Sequence, residues 1–286
     1  MNLIKKIILT VVTLSIITSL SLAFIGCPKS VTEEPTATEE PTTTEEPTEA
    51  PTEEEIQFTT ITEGLLTVGT DAAYPPLENV EAGEFVGFDI DLAKEMAERL
   101  GLEAEIINTS WDGIFPALIA HKFDVVISAV TITPERDEEM DFSDPYLNSD
   151  QSIATKEDSR IKTKADLKDK ILGVLIGTTG ELTAKEIDEE IGVVKIKTYD
   201  DILSAFEDLK AGRIDAIIND IPTSAYIVKD NPELVIVEKI ITDEKYGIVF
   251  APDTPELLKA VNKVLKEMKE DGTYDQIYSK WFGESK

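Results

Sequence analysis

One pattern that occurs twice constrains the fold of this chain more than any other feature. The stretch "FPALIAHKFDVVISA" at positions 115–129 aligns without gaps to "FEDLKAGRIDAIIND" at positions 206–220. Each stretch has apolar residues at helical spacing, then a basic residue, an aspartate and an apolar run typical of a buried strand. Helices that alternate with buried strands indicate an α/β fold with largely parallel sheets. The repeat therefore predicts two similar lobes, each with its own sheet.

Further predicted strands and helices continue this alternation on both sides of the repeat. Strands are predicted in "LLTVGT" (65–70), "EAEII" (103–107), "FDVVISA" (123–129), "ILGVL" (171–175), "VVKIKTY" (193–199) and "IDAIIND" (214–220). Helices are predicted in "GFDIDLAKEMAERLG" (87–101), in "DDILSAFEDLKAG" (200–212) with Asp200 as its N-cap, and after Thr254 and Pro255.

The ends of two buried strands are the first candidates for a functional site. In open α/β sheets a ligand binds beyond the carboxyl ends of the strands. Those ends are Ser128 and Ala129 in the first half, and Asn219 and Asp220 in the second. If the two lobes face each other, these residues meet across a cleft.

The stretch "VTITPER" after the first of these strands carries a candidate anion site. Thr131 offers a hydroxyl, Thr133 is suited to cap a helix that Pro134 begins, and Arg136 falls in the first turn. A guanidinium at this end of a helix opposes the helix dipole, unless an anion such as a carboxylate lies between them. The alternative is a surface ion pair with one of the carboxylates that follow, at Glu138, Glu139 and Asp141.

Asp220 supplies the opposite charge at the other strand end. By itself an aspartate in this place is commonly a turn former or a helix cap. Together with Arg136 it predicts a site for a zwitterion, whose carboxylate would meet Arg136 and whose ammonium would meet Asp220. Such a ligand would bridge the lobes and favour their closure.

Four more residues follow strands at the same predicted edge. Tyr74 and Trp111 are placed to flank the aliphatic part of a ligand, although covering the core is the alternative for both. Asp71 is placed to meet a polar or positive side chain, or else to cap its own loop. Thr179 in "GTTGE" begins a helix and could donate to a ligand carboxylate.

The N-terminal 60 residues predict export followed by a spacer. Lys5 and Lys6, an apolar run from 7 to 25 and "AFIGC" resemble a lipoprotein signal that ends at Cys27, the only cysteine of the chain, although Phe24 stands where leucine is usual. The alternative is an uncleaved anchor helix, since the apolar run approaches the about 20 residues that span a bilayer. Positions 28–60 repeat a Glu-Glu-Pro-Thr unit and predict a disordered acidic spacer.

Charge excludes one class of partner. With 27 basic and 57 acidic residues the formal net charge is -30, and nothing in the sequence resembles the basic patch that nucleic acid requires. We therefore expect no nucleic-acid partner.

Several motifs together resemble the extracellular solute-binding proteins of ABC importers that carry polar amino acids. They are "GTDAAYPP", "GFDIDLAKEMAERL", "WDGIFPAL", "VTITPERDEEMDFSDPY" and "IDAIINDIP", spread over positions 65–281. The resemblance implies the two-lobed type II periplasmic-binding-protein fold, in which the chain crosses a hinge twice, near 148–152 and 241–245. The first lobe is then expected at 61–149 and 242–286, and the second at 150–241.

The same resemblance implies roles for the candidate residues. Arg136 would hold the α-carboxylate of an amino acid, aided by Thr131 and Thr179. Asp220 would hold the α-ammonium, together with the backbone carbonyl near Ser128 and Ala129. The side chain would lie between Tyr74 and Trp111, with its polar end at Asp71. Ala129 departs from the serine of some basic-amino-acid binders, so the ligand stays open among arginine, lysine, histidine and glutamine.

The function implied is a monomeric receptor, held outside the cell by its N-terminus, that delivers an amino acid to an ABC transporter permease. One alternative is an enzyme similar to cyclohexadienyl dehydratase, which needs a general acid in the cleft. The only histidine, His121, is expected on the surface away from the strand ends, and no spacing of metal ligands or cofactor motif is present. Another alternative is a sensory receptor, which usually carries further domains, so the end of this sequence at Lys286 favours transport.

Overall fold

The structure is a computed structural model that describes residues 56–283, all within one compact unit at Glu53–Lys286. In chain order the strands are β1 (Leu65–Thr70), β2 (Ala73–Tyr74), β3 (Glu78–Glu81), β4 (Glu84–Val86), β5 (Glu103–Asn108), β6 (Val125–Val126), β7 (Asp141–Phe142), β8 (Leu147–Lys156), β9 (Ile171–Leu175), β10 (Lys195–Tyr199), β11 (Ala216–Asp220), β12 (Leu234–Tyr246) and β13 (Val249–Phe250). The helices are α1 (Phe88–Arg99), α2 (Trp111–Ile119), α3 (Pro134–Asp137), α4 (Thr179–Ile191), α5 (Ile202–Lys210), α6 (Ile221–Lys229), α7 (Pro255–Glu270) and α8 (Thr273–Phe282).

Two five-stranded sheets define two lobes, as the repeat predicts. The first lobe has the strand order β5-β1-β6-β13-β7, and the second has β10-β9-β11-β8-β12. In each sheet the first three strands run parallel. The fourth strand pairs antiparallel with the third, and the fifth pairs antiparallel with the fourth. Helices α1, α2, α7 and α8 pack on the first lobe, and α4, α5 and α6 pack on the second. The two repeated stretches are α2 with β6 and α5 with β11.

Strands β8 and β12 run side by side through the stretches where the resemblance places the hinge. They pair antiparallel from Leu147 with Tyr246 to Lys156 with Leu234, and the register shifts between Ile240 and Glu244. At that irregularity the Asp150 carboxylate accepts from the backbone N–H groups of Thr242 and Asp243, at 2.8 and 3.1 Å. The lobes are therefore joined by paired backbone rather than by loose linkers.

Local sequence signals explain where most helices begin and end. Thr133 caps α3 through a hydrogen bond from the Arg136 N–H, and Gly101, with φ of 75°, follows α1. The predicted cap of α5 is wrong by one residue. Asp201, not Asp200, is the N-cap, because its carboxylate accepts from the Ser204 N–H at 2.8 Å.

One predicted strand is shorter in the structure, and the predicted N-terminal segments fall outside the described residues. The predicted strand at 123–129 is only two residues long, because the chain turns after Val126 and Ala129 takes a positive φ of 48°. Residues 1–55, which include the predicted signal, Cys27 and most of the spacer, lie outside the described residues. Among residues 56–283, no helix has both the length and the apolar character needed to cross a membrane.

Candidate functional site

One cavity lies between the strand ends of the two lobes. Twelve residues line it: Asp71, Tyr74, Glu78, Trp111, Ser128, Ala129, Thr131, Arg136, Leu175, Thr178, Thr179 and Asp220. All nine ligand-contact residues predicted from the sequence are among them. Their placement follows from the parallel strands, because the carboxyl ends of such strands meet at one edge of a sheet. Their individual roles toward a ligand stay predictions.

Asp220 is a carboxylate that accepts hydrogen bonds from three side chains at this edge. It is buried, and the hydroxyl of Tyr74 in the first lobe lies 2.9 Å from its Oδ2 and 2.9 Å from Asn219 Oδ1. Tyr246 donates to the same carboxylate, and so does the Gln151 side chain. Burial raises the pKa of Asp220 to about 6, and the nearby Glu244 carboxylate adds to the rise. Within residues 56–283, Asp220 is thus a buried carboxylate that no Lys, Arg or His side chain contacts directly.

Arg136 provides the cation on the other side of the cavity. Its Nη1 donates to the Thr131 carbonyl at 2.7 Å and its Nη2 donates to the Gly177 carbonyl at 3.2 Å, so it reaches both lobes. Burial lowers its pKa, and the charges of Asp220 and Glu244 oppose that shift. The alternative ion pairs with Glu138, Glu139 and Asp141 do not form within residues 56–283.

Aromatic side chains pack directly against this guanidinium. Its Cζ lies 5.3 Å from the Trp111 ring centroid and 5.4 Å from that of Phe115. The two rings meet edge to face with centroids 5.1 Å apart. Trp111 is only 7% exposed. Cation–π contacts of this kind fix the plane of a guanidinium, and so hold Arg136 in the wall of the cavity.

Asp71 contacts the start of α2 and also lines the cavity, while its role toward a ligand stays a prediction. Its Oδ2 accepts from the Trp111 N–H at 3.1 Å, which caps the start of α2, and its side chain also lines the cavity. Burial raises its pKa to about 6, although the hydrogen bond from Trp111 opposes the shift. A positive or polar group in the cavity would meet this carboxylate.

A pair of buried carboxyls supports the strand end at Ser128 and Ala129. The Ser128 hydroxyl donates to Glu78 Oε1 at 2.8 Å, and the Ala129 N–H donates to Asp89 Oδ2 at 2.8 Å. Burial raises the pKa of Glu78 well above its usual range, and the neighbouring Asp89 charge adds to it. The pKa of Asp89 is raised to about 6, again mainly by burial. Burial therefore disfavours the charged form of both of these neighbouring carboxyls.

Sequence reasoning missed six residues of this site. Glu78, Leu175 and Thr178 line the cavity, and Gln151, Glu244 and Tyr246 hold groups that line it. Gln151 and Glu244 fall within the two stretches where the resemblance places the hinge, which was the available signal. His121 lies on the surface, 3.4 Å from Asp253. Among the described residues, no cluster of His, Cys, Asp and Glu is arranged to hold a metal ion.

The arrangement favours recognition of a small molecule that carries both charges. A cation held by aromatic rings and a buried anion line the same cavity from opposite lobes. A zwitterion would give each of them a partner of opposite charge in a buried site, where charge pairing is strong.

The chain is similar to known proteins that are named for binding amino acids. The family model for bacterial extracellular solute-binding proteins, family 3, matches residues 66–284. ABC transporter arginine-binding protein 1 of Escherichia coli (strain K12) is 39% identical over 223 residues, which cover 76% of this chain and 90% of that protein. A solved structure of an ancestral arginine-binding protein bound to arginine has 46% identity and a TM-score of 0.74, and covers 77% of this chain and 99% of that one. The solved structure of the ancestral amino acid-binding protein AncCDT-1, a precursor of cyclohexadienyl dehydratase, has 46% identity and a TM-score of 0.72. The match covers 77% of this chain and 96% of that one.

Proposed function

This chain belongs to the bacterial extracellular solute-binding proteins, family 3, and from the geometry of its cleft we propose that it captures a free polar or basic amino acid outside the cell and delivers it to the permease of an ABC transporter. The ligand would bind between the lobes, and their closure around it would present the loaded form to the permease. The protein itself would act as a monomer.

The opposition of Arg136 and Asp220 across one cavity is the observation that carries this proposal. Each side chain comes from a different lobe, and each is fixed by contacts that the fold provides. An α-carboxylate at Arg136 and an α-ammonium at Asp220 would satisfy both charges at once. The backbone N–H groups near Thr131 and at the start of α4 are further donors for the carboxylate.

The walls of the cavity favour a long side chain with a positive or polar end. Tyr74 and Trp111 supply aromatic surface, and Asp71 supplies a carboxylate beyond it. This combination supports arginine first, then lysine, histidine and glutamine. The arginine-binding relatives are consistent with that order.

A calorimetric titration of the full chain with each of the twenty amino acids tests the proposal. The protein should first be unfolded and refolded to remove any ligand retained from expression. We expect saturable binding of one or more of L-arginine, L-lysine, L-histidine and L-glutamine, and none of L-glutamate. Absence of binding to every amino acid would overturn the proposal.

An enzyme related to cyclohexadienyl dehydratase is the second candidate, because Glu78 lines the cavity and burial raises the pKa of its carboxyl well above the usual range. A general acid requires such a group within reach of the leaving atom. Glu78 is instead engaged with Ser128 and Asp89 beneath the strand end, which supports a structural role. Incubation with prephenate-like acids, followed by chromatography of the products, would detect turnover if this alternative holds.

We also propose that lipid on Cys27 tethers the receptor to the outer face of the cell membrane, whether that face is periplasmic or at the cell surface. The acidic segment at 28–60 would then act as a spacer between the membrane and the lobes. Its repeated prolines and glutamates support an extended chain.

A further inference from the structure

Glu244 connects both lobes next to the cavity, through two residues that line it. It lies on β12, half-buried, and its Oε2 accepts from the Thr131 hydroxyl at 2.9 Å and from the Thr179 hydroxyl at 2.7 Å. Thr131 belongs to the first lobe, and Thr179 begins α4 of the second. One carboxylate oxygen thus holds two hydroxyls that would separate if the lobes moved apart.

Gln151 extends the connection to the other hinge strand. Its Nε2 donates to Glu244 Oε1 at 3.1 Å and also donates to Asp220 Oδ1. Glu244 therefore joins β12 to β8, to the first lobe and to α4 through side-chain hydrogen bonds.

Hydrogen-bond directions at the two threonines have a chemical consequence. A hydroxyl carries one proton, and both threonines give theirs to a carboxylate, which can only accept when it is ionised. Toward the cavity these hydroxyls can then offer only lone pairs. A ligand carboxylate would have to be held by Arg136 and backbone N–H groups, whereas the threonine hydroxyls would face positive or donor groups.

From these contacts we infer that Glu244 is a positioning residue that sets the balance between open and closed lobes. It stabilises the closed form even without ligand, and it orients the hydroxyls of Thr131 and Thr179 as acceptors. A ligand that binds the closed form then gains affinity in proportion to the fraction of protein already closed. This inference rests on the proposed function only where ligand affinity is concerned.

The distance between the lobes provides the direct test. The full chain, with Cys27→Ser, would carry spin labels on cysteines introduced at the exposed Glu98 of α1 and Glu186 of α4. Double electron–electron resonance would record the distance distribution without ligand and with saturating L-arginine. The variants would be Glu244→Ala, Glu244→Gln and, as a control of equal charge change, Asp243→Asn on the neighbouring residue.

We expect the ligand-free Glu244→Ala protein to shift toward longer distances. The label-to-label distance in Glu244→Gln should fall between those of Glu244→Ala and the parent, because an amide oxygen still accepts a hydrogen bond. The distance in Asp243→Asn should equal that of the parent. L-arginine should restore the short distance in every variant. In stopped-flow tryptophan fluorescence, the dissociation rate of L-arginine from Glu244→Ala should be about tenfold higher than from the parent protein. The association rate should change little.

An unchanged ligand-free distance in Glu244→Ala would overturn the inference, even if the melting temperature fell. This outcome is separate from failure of the proposed function. If the parent protein does not bind L-arginine or another amino acid, the ligand-free distances still decide whether Glu244 holds the lobes together.

Discussion

The Tyr74 hydroxyl lies 2.9 Å from the Asp220 carboxylate, although the two residues are 146 positions apart in the chain. Tyr74 comes from the first lobe and Asp220 from the last residue of β11 in the second. This contact closes one side of the cavity, and it places the residue predicted to hold an α-ammonium directly beside an aromatic wall. The cavity is therefore lined by side chains that both lobes contribute.

Arg136→Ala should weaken the binding of every amino acid by at least about thirtyfold. The change leaves the ligand carboxylate without its charged partner in a buried site, a loss that commonly amounts to about 2–5 kcal/mol. Calorimetric titration measures the effect. Arg160→Ala removes the same charge from an exposed position and should leave the affinity unchanged. Equal affinities for Arg136→Ala and the parent would show that this residue does not hold the carboxylate.

Asp71→Asn should change which amino acid binds best. The amide oxygen can still accept the hydrogen bond from the Trp111 N–H, so the start of α2 is preserved, but the negative charge is lost. We expect affinity for arginine and lysine to fall about tenfold or more relative to glutamine. Competition titrations give this ranking. Asp112→Asn, which alters a carboxylate in the first turn of α2, is the control. If the ranking is unchanged, Asp71 serves only as a helix cap.

Ligand affinity should depend on pH below about 6. Burial raises the pKa values of Asp71 and Asp220 to about 6, so in the ligand-free protein both carboxyls become protonated as the pH falls through that value. An ammonium or guanidinium has to displace those protons. Affinity should therefore be constant above about pH 7 and fall by up to about tenfold per pH unit for each carboxyl below 6. Titrations from pH 5 to pH 8 check this, and a flat profile would contradict it.

Asp220→Asn should stabilise the ligand-free protein at pH 7. The folded-state pKa of about 6 lies above the ordinary value of 3.8, so the folded state binds more protons between these values. The free energy of unfolding accordingly rises as the pH falls from about 6 toward 4, and the ionised group is unfavourable at pH 7. We expect the neutral amide to raise the free energy of unfolding at pH 7 by about 1–3 kcal/mol.

Urea unfolding at pH 5 and pH 7 measures that prediction. The stability gain on going from pH 7 to pH 5 should be smaller in Asp220→Asn than in the parent. Asp158→Asn changes an exposed carboxylate and should show the parent's pH dependence. A variant that is less stable than the parent at pH 7 would mean that the hydrogen bonds of Asp220 outweigh its desolvation.

Lipid on Cys27 should be visible in the intact mass of the exported protein. We expect the membrane fraction of the parent to contain a chain that begins at Cys27 and carries added lipid mass, and we expect Cys27→Ser to lack that mass. Mass spectrometry of the two fractions decides the question. A parent protein that retains residues 1–26 without lipid would instead be held by an N-terminal anchor helix.

The sequence by itself determined the parallel strands of both sheets, several helices and one edge of the site. The apolar spacing that predicts α1, and the run of apolar residues that ends at Asp220, are local signals, because a helix or a buried strand imposes its own period. The topological rule for parallel strands then placed Arg136 and Asp220 at a common edge. Local sequence signals could not predict the length of β6. The strand ends early because the chain turns at Ala129, whose N–H donates to Asp89, and Asp89 is in turn held by the Tyr146 hydroxyl.

Only the tertiary structure decided how the side chains at that edge are paired. Tyr74 with Asp220, and Glu244 with Thr131 and Thr179, are contacts between distant parts of the chain. No periodicity in the sequence predicts them, because they depend on how the two lobes meet. Their consequences, the raised pKa values and the direction of each hydroxyl, follow from burial and from the neighbours that burial brings together. The sequence thus indicated where a ligand would bind, while the packing of the lobes set the charge and hydrogen-bonding state of the groups that would bind it.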